Sequence, residues 1–143
     1  MAAFRRSSTQ YTAMQWRYDD DGTVWLQAIA HGALTAKTQY KIIFSSLGYK
    51  TLAVASGTTV CLVGYPDKTY ATADIAWMQI GGALDDAVTA ALTVSVDQYY
   101  GLTSGAFQSI GSFTANVFAM GATAATTATA NDFMLIPRWV TPT

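Results

Sequence analysis

The chain has 143 residues, a net charge of -1 at pH 7, and 12% charged against 51% hydrophobic residues. A soluble domain typically carries about 25% charged residues, so much of this surface is expected to be covered by other protein chains. No apolar run approaches the roughly 20 residues of a membrane-spanning helix. No basic block follows Arg5 and Arg6, which speaks against an electrostatic footprint on nucleic acid.

The opening segment, "MAAFRRSSTQY", has no apolar core after its arginines and does not read as a secretory signal. Residues 1–22 mix Arg, Ser, Thr and Gln with scattered aromatics and show no helical period. They read as an extended N-terminal arm, with one strand at "YTAMQWR" and a turn at Asp21-Gly22. Residues 23–143 read as a single β domain. Its short β-like runs are "TVWLQAIA", "QYKIIFS", "KTLAVA", "TTVCLVG", "DIAWMQIG", "ALTVSVDQYY", "GAFQSIG", "FTANVFAMG" and "DFMLIPRWV". Gly, Asp or Ser punctuates them about every 8–12 residues, which argues an all-β sandwich or barrel. In "TVSVDQYY", Val94 and Val96 alternate onto one face. "GALDDAVTAAL" is open between a short helix and a loop. In "DIAWMQIGG", Asp74 starts a strand and Gly81-Gly82 end it. Pleat alternation puts Ala76, Met78 and Ile80 on the core face, and Ile75, Trp77 and Gln79 on the other.

All nine acids are Asp, and the 24 Ala and 20 Thr leave the chain without the Glu of a capping box. An echo runs through it. "ALT" at 33–35, Gly64 and "WMQI" at 77–80 are answered by "ALT" at 91–93, Gly121 and "FMLI" at 133–136, with "WLQA" at 25–28 as a further copy. Two related β-modules, about 25–82 and 83–140, could thus cover each other's apolar faces.

Catalytic patterns are weak, and the chain does not read as an enzyme. His31 is the single histidine, and no nucleophile elbow accompanies it. Cys61 stands alone in an apolar run, which excludes an internal disulfide and a multi-cysteine zinc site and reads as a buried hydrophobe. "DDDG" at 19–22 lacks the alternate spacing and terminal Glu of an EF-hand. Asp85-Asp86 fit a turn or N-cap better than a glycosidase pair. No metal or cofactor is expected.

The stretches "YDDDGTVWLQAIAHGALTAKTQYKI" and "GYPDKTYATADIAWMQIGGAL", followed by Ala/Thr-rich β-sequence and a Pro-Arg tail, carry a resemblance. Over about residues 20–140 the chain resembles the head decoration, or capsid cement, proteins of tailed bacteriophages, on Asp74, Trp77, Gln79, Gly81 and Gly82. Ala76 stands where a turn or polar residue is expected, and "LDDAVTAAL" departs from the pattern. The resemblance implies a non-enzymatic virion protein, made in the host cytoplasm and carried on the outer capsid surface. It implies binding to the major capsid protein, self-association as a trimer, and stabilisation of contacts between capsid subunits. Composition and position make Phe4, Arg5, Arg6, Tyr11 and Trp16 of the arm, with Trp77, Arg138 and Trp139, the expected protein-interface residues. Strand addition by the arm to a neighbour's sheet edge fits this role. The competing expectation is a carbohydrate-binding or adhesion β-module of a phage fibre or tail, using clustered Trp and Tyr beside Asp or Gln.

Overall fold

The structure, a computed structural model, describes residues 15–46, 48–53, 59–88, 96, 98–103, 106–122 and 130–142. Those residues contain strands and no helix: β1 (Trp16–Tyr18), β2 (Val24–Ile29), β3 (Tyr40–Ser45), β4 (Gly48–Ala53), β5 (Leu62–Pro66), β6 (Ile75–Val88), β7 (Tyr99–Thr103), β8 (Ala106–Ile110), β9 (Val117–Gly121) and β10 (Ala130–Leu135). The all-β reading holds. Strands β2-β4-β3-β5-β6 are neighbours in that order, and β6 also pairs with β2, so five strands close into a barrel. Among the described strands only the β2–β4 pair is parallel, at Ile29 and Lys50. Strands β6-β10-β9-β7-β8 form a second, antiparallel sheet.

The barrel core comes from period-2 patterning. In β2, Val24, Leu26 and Ala28 point inward. Ala76, Met78 and Ile80 of β6 meet them with Ile42, Leu62 and Leu34, as the alternation predicts. Strand β5 is buried on every residue. Leu62 faces the barrel interior, while Cys61, Val63 and Tyr65 face a second core with Tyr100, Phe118 and Phe133. A strand buried on both faces needs a continuous apolar run, and "VCLVGY" is one. Gly64 sits in the barrel because a Cβ there would come within 2.6 Å of Ile42 and 3.1 Å of Met78.

Two readings are corrected. Gly81-Gly82 do not end a strand; β6 runs on to Val88, passing from the barrel to the second sheet. Gly82 has φ +84°, and a Cβ on it would lie 2.7 Å from the Gly22 carbonyl oxygen. The glycines are therefore needed where β6 leaves the barrel past the β1–β2 turn, and the strand survives them because β10 takes over its pairing. Likewise 82–88 is neither helix nor loop. Asp85 and Asp86 form a β-bulge, two residues against one of β10, between the pairs Leu84–Phe133 and Ala87–Asn131. Asp86 has φ +56°, and its N–H donates to the Asp132 carboxylate at 2.9 Å. Asp is one of the few residues besides glycine that visit this left-handed position as single residues. Val96 lies in a turn and is exposed, while Val94 is outside the described residues.

The turn at Asp21-Gly22 is present, with Gly22 at φ +85°. Beyond β10 the tail is tied down at three points. Ile136 N–H donates to Phe118 O, Val140 and Cys61 exchange both backbone hydrogen bonds, and Thr141 N–H donates to Ala115 O. The tail thus links β9 of the second sheet to the start of β5 in the barrel.

Candidate interaction surface

Among the described residues, three aromatic groups stand on the surface. The first surrounds Tyr49, a residue of the barrel core that reaches one end of the barrel. Trp16 of β1 meets it edge-on at 6.1 Å, and its Nε1–H donates to Tyr49 Oη at 3.3 Å. Phe44 and Trp139 also contact this ring, at 5.4 and 6.4 Å, and are 52% and 44% exposed.

The second group lies on the outer face of β1, β2 and β6. Arg17 pairs across the hairpin with Trp25, and Gln27 pairs with Trp77 on the other side of β2. The Arg17 guanidinium lies between the two indoles, 5.1 Å from the Trp25 centroid and 4.5 Å from that of Trp77. Its Nε–H donates to Asp19 Oδ1 at 2.8 Å. Trp25 Nε1–H donates to Thr23 Oγ1, and the Thr23 hydroxyl donates to Asp21. Together with the Thr23 backbone N–H, that hydroxyl holds the Asp21 carboxyl below the usual carboxylate range. The Trp77 backbone is anchored where its main-chain N–H donates to Tyr70 Oη at 3.2 Å, and Tyr70 donates in turn to Asp67. Burial first, and then the Asp67 bond, push the Tyr70 phenol upward.

The third group is on the second sheet. Phe113, 54% exposed, meets Tyr99 edge-on at 5.5 Å and carries the Arg138 guanidinium at 4.6 Å.

The expected interface residues therefore separate. Trp16 and Trp139 meet on Tyr49. Trp77 belongs to the Arg17 stack, and Arg138 leaves its neighbour Trp139 for Phe113. Phe4, Arg5, Arg6 and Tyr11 lie outside the described residues. Gln79, expected on the outer face with Trp77, is 3% exposed, and its amide donates to the Gly81 and Ala83 carbonyls. It braces the passage of β6 out of the barrel instead of facing a partner.

Arg17, Phe44, Tyr49 and Phe113 were missed in the sequence. The Arg17–Trp25 pair follows from the hairpin register about Asp21-Gly22. The arrival of Trp77 needs the β2–β6 closure, which no local pattern announces.

His31 borders a cleft of about 160 Å³ that is also lined by Leu34, Tyr40, Thr51 and Leu52, and its backbone N–H donates to Thr51 Oγ1. Cys61 is fully buried, and burial raises its thiol pKa. Among the described residues, no three His, Cys, Asp or Glu side chains group so as to hold a metal ion. Among them, too, no helix is long and apolar enough to cross a membrane. Comparisons with protein-family models, curated proteins and solved structures found no match.

Proposed function

We propose that the chain is a structural virion protein that binds the outer surface of a phage capsid and cements contacts between major capsid protein subunits, with self-association as a trimer. The observation that supports this most is the exposed aromatic group at the root of the arm. Phe44 and Trp139 stand open beside Tyr49, and Trp16 anchors β1, the first described strand, to the same ring. β1 is a terminal strand of the sheet order, and no strand among the described residues pairs with its outer edge, the kind of edge that takes up a strand of another chain. Exposed Trp and Phe rimmed by polar residues are the anchors of protein interfaces. Many copies, each burying such anchors across a capsomer junction, hold the shell by apolar burial at roughly 25 cal/mol per Å² before ordering costs.

The test uses expanded heads that lack this protein, from the phage whose genome encodes it. Wild-type chain is expected to saturate them and raise their melting temperature. A chain lacking residues 1–14, and the double variant Phe44→Ala with Trp139→Ala, should fold and lose occupancy. Heads that take up no wild-type protein would end this reading.

A second reading, a glycan-binding module, draws on Trp25 and Trp77 beside Gln27. It expects specific binding on a glycan array that Trp77→Ala abolishes.

A further inference from the structure

The Arg17 stack carries an inference that rests on the cement reading and names the chemistry of the contact. The Arg17 side chain is 40% exposed, and among the described residues its only hydrogen bond is from Nε to Asp19. Both Nη groups are left without a protein partner there, while the guanidinium lies over the rings of both Trp25 and Trp77. A guanidinium oriented in advance presents two parallel N–H donors at the spacing of a carboxylate, and little side-chain entropy is left to lose on binding. Beyond the Asp19 carboxylate, Trp25 and Trp77, with the 42% exposed Ile75 further along β6, form an apolar rim on the same outer face. A rim of this kind excludes water around a central charged contact and strengthens it. The net charge of -1 and the acidic turn at Asp19, Asp20 and Asp21 beside the stack repel a polyanion such as nucleic acid. A single carboxylate on a flat protein surface meets much less of that repulsion.

We propose that Arg17, clamped between Trp25 and Trp77, is the centre of the surface that seats on the capsid, where its two Nη groups receive one acidic side chain of the major capsid protein.

The experiment measures binding of full-length chain to the same decoration-free heads at low and high salt. Arg17→Met keeps the apolar stem between the indoles and removes the donors, and is expected to weaken binding about 30-fold. Arg17→Lys keeps the charge and the cation–π contact but not the fork. It should recover only a small part of the loss, and it serves as the second variant should Arg17→Met melt early. The salt dependence of wild-type binding should flatten in Arg17→Met. Wild-type affinity and salt dependence in both variants would overturn the inference and leave the cement reading standing. Heads that bind no wild-type chain would overturn both. Wild-type binding to acidic glycans that Arg17→Met abolishes would overturn the capsid carboxylate in favour of a sugar acid.

Discussion

Tyr65 shows how one hydroxyl sets a measurable property. Its ring is fully buried in the second core, and its Oη has no hydrogen-bond partner among the described residues. A buried donor without a partner carries a desolvation cost that the isosteric phenyl ring avoids. Tyr65→Phe should therefore stabilise the domain by about 1 kcal/mol at neutral pH, as read from urea denaturation. The same burial pushes the Tyr65 phenol far above its ordinary value. The unfolded phenol ionises near pH 10 while the folded one stays protonated, so stability is full below about pH 10 and falls as pH rises past it. Tyr70, also raised, acts in the same direction. The alkaline loss from Tyr65 should approach about 1.4 kcal/mol per pH unit, and Tyr65→Phe should remove it. An unchanged alkaline slope in that variant would show that Tyr65 is not the group responsible.

At the scale of elements, β6 does most to organise the molecule. Its first half closes the barrel against β2 and β5, and its second half begins the other sheet against β10. Alternation in "IAWM" sorted these two residues: Met78 is fully buried, while Trp77 is half-buried on the outside, and only Gln79 beyond them departs from the pattern. Met78→Ala should cost about 2–5 kcal/mol in chemical denaturation. Trp77→Ala, which removes one side of the Arg17 stack, should cost only about 1 kcal/mol. The reverse order would mean that the two faces are assigned the wrong way round. The continuation past Gly82 was not legible. Two glycines followed by two aspartates read as punctuation, and pairing with β10, far along the chain, holds that stretch extended.

Across the whole molecule, two cores share walls. Strand β5 faces the barrel core with Leu62 and the second core with Val63 and Tyr65, and β6 supplies Met78 to one and Leu84 to the other. Unfolding either core exposes a face of the other, so a single cooperative transition is expected. The tail makes the link directly, through the paired backbone bonds of Val140 and Cys61. Truncation after Leu135 should leave a β-rich chain by circular dichroism, yet open the Cys61 thiol. Its labelling by Ellman's reagent should then run at least about tenfold faster than in the intact chain, where a buried thiol reacts only through opening. Equal labelling rates would show that the tail does not guard this site.

Composition and patterning were sufficient for the all-β class, the turn at Asp21-Gly22, the buried Cys61 and the inward face of β6, because each follows from local sterics or from a two-residue period. Barrel closure, the bulge at Asp85-Asp86, the burial of Gln79 and the meeting of Arg17 with Trp77 were decided by tertiary structure. Each depends on strands far apart in the chain becoming neighbours, and a strand's pattern says which face is apolar but not which strand it will lie beside.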